Sequence, residues 1–477
     1  MHPHANVGAH AAPPTARRQK ARTTTGIVAV LAAAALGGCA LTPKGAKEEQ
    51  ARLSAAGEKY QKPFEQRTLP EIPAEPMWRD VLHRAFMANG ELEASYFEWK
   101  AAYERIDIAA AWPNSNIALG YSYALGPGQM KTFDRMTFSG GIDSMKNLSF
   151  PTKVAQAGKV ALDETRASGE RFRAAKFDLQ RRVLAAWADY SFLAEQARIQ
   201  ADQVTLTRAA FDTARSRVQA GGMQADLLRA SVSLSTAEDA LRTTGAELTA
   251  SSATLNGLLA RDPDAPLSAP RNTQEPRPLP SDDSFLLAAA VEQNPELAAL
   301  SHGVEGRSDA LERARQEWIP DINPFVSFTG GIAQIVGASV VLPTTIMQIE
   351  GGIREADAML KASDAMLRQS KREKTATFVA TLVLLRDAER QTVLFERTVV
   401  PATEQLVTTV RQRYSAGSAT YLDLLDAQRT LLESRLVVAR ARTTREIRLA
   451  ELEALMGADI ETLGSVPAAS PSRTPPK

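Results

Sequence analysis

The sequence predicts a mainly α-helical protein with a small β part, in which long antiparallel coiled-coil helices and four strands arise from two similar halves. Three observations carry this. Helix-former tracts run without proline far beyond the needs of a compact domain. Two-faced strand pairs stand at matching places in the two halves. Short motifs recur in the same order along the chain.

A chain of 477 residues can bury a large core, and length alone suggests two to four domains. Aromatic content is 6%, low for a conventional enzyme core, while alanine, leucine, glutamate, arginine and glutamine fill the middle of the chain. Basic and acidic residues number 56 and 55, a balance that gives no long-range reason to expect nucleic acid or an acidic substrate.

Arg17, Arg18, Lys20 and Arg22 form a basic segment before an apolar run from Gly26 to Leu36. That run is too short to span a bilayer as a mature helix. It ends in Leu36-Gly37-Gly38-Cys39, and Cys39 is the only cysteine. The arrangement resembles a bacterial lipobox, with residues 1–38 as signal peptide and Cys39 as the lipidated mature N-terminus. A plain secretory signal with an incidental cysteine is the alternative. Ala40 follows where aspartate would resemble an inner-membrane retention signal, so the expected anchor is outer-membrane lipid. An exported chain with no other thiol has none to oxidise.

Residues 39–76 are polar with several prolines and read as a lipidated linker along the outside of the body. The first half follows, over 77–267. Residues 77–111 read as helix, and Trp112-Pro113 opens an irregular stretch. Ile117, Leu119, Tyr121, Tyr123 and Leu125 then alternate with smaller residues, which is the period of a two-faced strand. Gly126-Pro127-Gly128 breaks it. Met136, Phe138, Gly140 and Ile142 form a second alternation, and Phe150-Pro151 opens a helical region to about residue 259. From Thr152 to Val218 no proline occurs, and at ~1.5 Å rise per residue such a helix extends about 100 Å.

Residues 268–281 read as a proline-rich connector, and the second half, 282–457, repeats the order. Phe285–Arg315 reads as helix, Trp318-Ile319-Pro320 echoes Trp112-Pro113, and Phe325–Thr329 and Ile332–Leu342 read as strands around Gly330-Gly331. Leu342-Pro343 echoes Phe150-Pro151, and a helical region runs on to Met456. Asn89-Gly90-Glu91-Leu92 matches Asn294-Pro295-Glu296-Leu297. Arg217-Val218-Gln219-Ala220-Gly221 matches Arg413-Tyr414-Ser415-Ala416-Gly417. A repeat this long means two copies of one large unit. Residues 458–477 read as a disordered tail. After Cys39 no run of 18 apolar residues occurs, so any membrane span must be a closed strand barrel.

In the last helix Leu424, Leu431 and Val438 recur every seven residues, as do Leu425, Leu432 and Ala439. That is the seam of a left-handed coiled coil, with an ordinary amphipathic helix of a bundle as the alternative. Between Arg413 and Arg435, Gly417 suits a left-handed helix stop, and Ser418 or Thr420 can cap the next start. The segment is a helical hairpin, with Arg217–Asp239 as its counterpart.

These residues resemble the TolC-like outer-membrane efflux protein family. The likeness lies in Gly417 with Leu422–Gln428, Asn294–Leu297, the Leu455-Met456-Gly457 ending and the lipobox, and it covers about 77–457. It implies a homotrimer in which each chain gives four strands to one 12-stranded transmembrane barrel and the helices continue it as a periplasmic tunnel. The implied partners are a periplasmic adaptor protein and an inner-membrane transporter, of RND type. Asp423 and Asp426 resemble the acidic ring at the periplasmic aperture. Three apart on a helix they share a face, and threefold symmetry gives six carboxylates around one axis. Plain solvated helix acids are the alternative. The first half keeps only Asp226, one residue closer to its glycine. Ala220, Gly221, Gly222, Ala416, Gly417 and Ser418 resemble adaptor-docking turns; simple turn chemistry is the other reading, and both can hold.

Ser149-Phe150-Pro151-Thr152-Lys153 resembles the heavy-metal cation efflux branch, against drug or other small-molecule efflux. No His, Cys or Met cluster supports a metal site, and His83 and His302 stand alone. No phosphate-cradling loop, metal-ligand spacing or nucleophile elbow appears, so no enzyme activity and no cofactor is expected. The expected function is a passive exit duct in the outer membrane. A protein secretion duct and a non-conducting coiled-coil lipoprotein tether remain as alternatives; two-faced strands at matching places have no use in a tether.

Overall fold

The computed structural model describes residues 41–111, 117–126, 131–142, 149–270, 277–280, 282–331 and 333–463. Cys39 and its signal, Trp112-Pro113, Pro127-Gly128, part of the connector and the end of the tail lie outside the described residues. In chain order the elements are α1 Ala46–Gly57, α2 Trp78–Ala88, α3 Gly90–Ala110, β1 Ile117–Tyr123, β2 Met136–Ile142, α4 Pro151–Gln219 and α5 Gln224–Leu258. Then come α6 Asp283–Gln293, α7 Pro295–Arg315, β3 Asp321–Thr329, β4 Ala333–Val341 and α8 Ile346–Leu394. A π-helical turn at Phe395–Val399 joins α8 to α9 Val400–Ser415, and α10 Tyr421–Met456 and the short α11 Ile460–Leu463 come last among the described residues. The order helix, helix, strand, strand, long helix, helix thus occurs twice. Among the described residues no helix is long and apolar enough to cross a membrane.

One compact unit gathers the described residues of Leu41–Lys44, Arg105–Val160 and Glu312–Ile353. Its centre is a four-stranded antiparallel sheet in the order β1-β2-β3-β4. The two halves meet at β2 and β3, where Phe138 stands opposite Phe328. Thr137 and Thr329 join their hydroxyls at 3.0 Å. Tyr121 and Phe138 sit opposite each other with ring centroids 5.2 Å apart. Among the described residues no layer packs on the sheet: Leu119, Tyr121, Val336 and Val340 all stay more than half exposed.

β3 starts four residues earlier than the pattern suggested, because Pro324 reads as a breaker. The pairing of β2 with β3 ends at Phe325, so Pro324 has a strand on one side only, where a missing donor is tolerated. At the foot of β3 the buried Lys153 and the half-buried Asp321 lie 3.1 Å apart.

The second unit gathers the described residues of Gly45–Glu104, Ala161–Leu311 and Arg354–Leu463. Its largest core joins Leu53 and Tyr60 with Val81, Leu92, Trp99, Phe172, Leu179, Val183, Trp187 and Leu255. Burying each of the larger side chains is worth about 1.5–3 kcal/mol. A second core joins Leu286, Phe378, Leu382, Leu385, Leu449, Leu452 and Met456. The matched motifs at Asn89 and Asn294 are helix caps: each Asn Oδ1 accepts the N–H of the leucine three residues on, at 3.0 and 2.8 Å.

The segment expected as an external linker carries α1 and two short 3₁₀ turns. Glu49 of α1 is buried and explains the order. It accepts the Trp99 indole N–H at 3.0 Å and Arg52 at 3.1 Å, while Arg52 also reaches Glu170 at 2.7 Å. Gly169 makes room, since a Cβ there would lie 2.9 Å from the Trp99 ring. A buried carboxylate needs such partners.

The described end of the connector is pinned as firmly. Arg277 Nη1 donates to both Glu453 oxygens, at 3.0 and 2.9 Å, and its Nε donates to Glu446 at 3.0 Å. Its carbonyl accepts Arg445 at 2.7 Å. Gln180 of α4 reaches Glu453 at 3.3 Å and Asp459 at 2.7 Å.

Candidate functional site

The two helical hairpins, α4–α5 and α9–α10, pack together in one small cluster. Ala210 and Ala214 of α4 and Ala230 of α5 meet Tyr414 of α9 and Tyr421 and Leu424 of α10, all buried. The alanines let the helices approach, and the two tyrosines meet edge-on at 6.0 Å. Burial pushes both phenols up in pKa, so both are neutral at physiological pH.

Each hairpin turns by the same chemistry. Gly417 takes φ +81° and donates to the Tyr414 carbonyl at 3.0 Å, and Ser418 N–H reaches back to the Arg413 carbonyl at 2.9 Å. Gly221 takes φ +94° and donates to Val218 at 3.0 Å, and Gly222 N–H reaches the Arg217 carbonyl at 2.8 Å. These are Schellman-type stops, which require a left-handed residue after the last turn. Gly222 is also needed for space: a Cβ there would lie 2.9 Å from the Arg217 carbonyl oxygen.

The hairpins differ after the stop. The second has five residues between helices, 416–420, and the first has four, 220–223. This one-residue difference is what brings Asp226 closer to its glycine. Of the two expected caps the structure selects Thr420, whose hydroxyl accepts Asp423 N–H at 3.2 Å. Asp423 Oδ2 accepts the Thr420 N–H at 2.9 Å and its hydroxyl at 2.8 Å, closing a capping box. Ser418 instead turns its hydroxyl to the Arg413 carbonyl at 3.1 Å. The first hairpin starts its second helix at Met223 with no side-chain cap.

Asp423 and Asp426 both lie on the exposed side of α10, opposite buried Leu424, Ala427 and Leu431. The Thr420 N–H, and after it the Thr420 hydroxyl, hold the Asp423 carboxyl below the usual range, so it is ionised at neutral pH. Asp226 differs: it is mostly covered and pairs with Arg229 at 3.5 Å. The seam also takes form here, with Leu424, Leu431 and Ala439 buried and Leu425, Leu432 and Val438 half-buried.

Ala220, Gly221, Ala416 and Gly417 form the exposed rim of the turns, with Met223 beside them. Among the described residues no group of three or more His, Cys, Asp or Glu could hold a metal ion. His302 pairs with Glu305 at 2.9 Å.

Sequence reasoning gave no role to Arg217, Tyr414 or Tyr421. Two tyrosines seven apart on either side of a turn, in an alanine-rich tract, were the available signal. Arg217 gave none, since its reach into the other hairpin is a tertiary fact.

Comparison with known proteins agrees with this arrangement. The sequence model of the family described as outer membrane efflux protein matches residues 337–458. Outer membrane efflux protein BepC of Brucella suis is 24% identical over 382 residues, covering 76% of this chain and 81% of BepC. Cobalt-zinc-cadmium resistance protein CzcC of Cupriavidus metallidurans is 26% identical over 234 residues, 47% of this chain and 51% of CzcC. The fold resembles the open-state MtrE outer membrane channel of Neisseria gonorrhoeae, with a TM-score of 0.65 at 17% identity, over 80% of this chain and 89% of that one. The chain is thus similar to outer membrane efflux proteins, with the family match lying over residues 337–458.

Proposed function

We propose that the protein is the passive exit duct of a tripartite efflux system. Three copies close one 12-stranded barrel in the outer membrane, and the helices, from two copies of one ancestral unit per chain, supply its periplasmic part. The observation that carries this is the four-stranded sheet. Its outer strands β1 and β4 have no further strand partner among the described residues, and it exposes apolar side chains without any packed layer. A membrane tolerates strands only when every edge is paired, so such a sheet must close with copies of itself. The family match over residues 337–458 supports the same reading.

In this reading Cys39 carries the lipid anchor, a periplasmic adaptor meets the turns at Ala220–Gly222 and Ala416–Ser418, and an inner-membrane transporter of RND type supplies the energy. Asp423 and Asp426 line the aperture and favour cations. Metal cations or other small molecules are the exported class. The name of CzcC and the segment Ser149–Lys153 favour metals.

Purified protein reconstituted in planar bilayers is expected to conduct. The double variant Asp423→Ala, Asp426→Ala is expected to raise or alter that conductance. A trimer that inserts yet passes no current, wild type or variant, would sink the duct reading and leave the tether.

A further inference from the structure

Within the second unit, α4 and α10 border a cavity of about 100 Å³ together with Trp78 and the connector ends Pro270 and Arg277. Trp78, Leu184, Trp187, Ala188 and Phe192 give it apolar walls, and α10 adds Ala439. Protein interiors are normally packed without such gaps. This one is left where two of the bordering side chains, Ala188 and Ala439, are short. Its size suits one small ring, on the scale of the apolar cavity of about 150 Å³ that accepts benzene.

Trp187 is 2% exposed, and its indole N–H is buried with no acceptor among the described residues. A buried tryptophan N–H ordinarily finds a partner, as that of Trp99 does in Glu49 at 3.0 Å. The charges round the cavity favour one sign of ligand. Arg198, Arg277 and Arg442 border it against Glu195 and Glu446, three cations to two anions. Arg442 finds its carboxylate outside that border, in Glu396 at 2.8 Å. A neutral arene would fill the space but leave the indole N–H unmet, and a cation would meet the arginines.

We propose that this cavity is a binding site for a small aromatic carboxylate, its ring held among Trp78, Trp187 and Phe192 and its carboxylate accepting the Trp187 N–H. Flat apolar walls with one convergent donor are what such a ligand needs. Neither Asp423, Asp426 nor any residue of the two turns borders the cavity, so the site stands apart from the aperture and does not depend on the duct reading.

The test is fluorine NMR of para-fluorobenzoate with the purified full-length protein. Its signal is expected to broaden saturably with protein and to sharpen again on adding excess benzoate. Para-fluorobenzylamine, the same ring with the charge reversed, is expected not to bind. Trp187→Phe keeps a ring and loses the N–H, and is expected to weaken para-fluorobenzoate about tenfold, the scale of one hydrogen bond to a charged acceptor. Ala188→Leu fills the space and is expected to abolish binding, with assembly checked on gels. Ala439→Val fills it from α10 should Ala188→Leu not assemble. No saturable binding by the wild type, or undiminished binding by the filled variants, would overturn the site. Wild-type affinity in Trp187→Phe, or equal affinity for para-fluorobenzylamine, would overturn the carboxylate as its ligand.

Discussion

Replacing Arg277 by methionine keeps most of the stem and removes the guanidinium. Its side chain is 8% exposed and that of Glu453 is 2% exposed. The change strips Glu453 of two hydrogen bonds and leaves it only Gln180 and the more distant Ile460 N–H, at 3.3 and 3.4 Å. Removing one member of a buried ion pair costs about 3–5 kcal/mol. Glu446, which loses one bond, is 30% exposed and can rehydrate. Arg445 keeps its bond to the Arg277 carbonyl, because that partner is backbone. Replacing Arg277 and Glu453 together by methionine removes both charges, and such a swap is often close to neutral.

The assay is hydrogen exchange followed by mass spectrometry on peptides covering Arg445–Ile460. Arg277→Met should speed exchange there by roughly two to three orders of magnitude, and the double variant should restore most of the protection. Burial already pushes the Glu453 carboxyl up in pKa against the pull of Arg277. Without Arg277 it rises further. A carboxyl raised in the folded state stabilises below its unfolded pKa, and that stability is lost as pH rises through the folded value. The deficit of Arg277→Met should therefore shrink as pH falls toward the ordinary glutamate range. Exchange within about threefold of wild type, or a double variant as labile as the sum of both single changes, would refute the pairing argument.

Lys59 donates to the Phe86 carbonyl at 3.0 Å, and burial, with Lys176 and Arg67 nearby, lowers its pKa to about 8. A lysine depressed in the folded state binds fewer protons than the unfolded chain between about 8 and its ordinary 10.5, so stability should rise with pH across that window. Thermal unfolding of Lys59→Met should lack this rise; an unchanged pH profile would count against the assignment. Cys39→Ser should abolish labelling by an alkynyl palmitate, and continued labelling would disprove the lipid anchor.

The helices and strands were legible because each obeys one period over many residues. Strands form over Ile117–Tyr123 and Met136–Ile142, the first ending two residues before the alternation does at Leu125, and α4 runs unbroken because Pro151 stands at its first position. What the sequence concealed depends on tertiary partners. Glu49 reads as a solvated acid until Trp99 and Arg52 meet it. Pro324 reads as a breaker until its strand is seen to lack a neighbour on one side. Arg217 reads as a helix-end base until Tyr414 lies under it. Each is a polar or punctuating residue whose meaning is set by a distant segment: Glu49 by Trp99, Pro324 by where the pairing of β2 with β3 stops, and Arg217 by Tyr414.

The unequal tips show why a local match is a weak guide to a site. Asp226 and Asp423 stand at comparable places after their glycines, and each follows a Schellman-type stop. One extra residue in the second turn places Thr420 where it can cap, and that cap takes Asp423 as its reciprocal partner. The shorter first turn puts Met223 at the cap position, which has no side-chain acceptor suited to an N–H. Asp226 then turns to Arg229, and its charge adds to burial in raising both Tyr414 and Tyr421 in pKa. The same side chain therefore finishes an exposed helix start in one half and bears on a buried aromatic pair in the other. One inserted residue, together with threonine where the other turn has methionine at the cap position, separates the two.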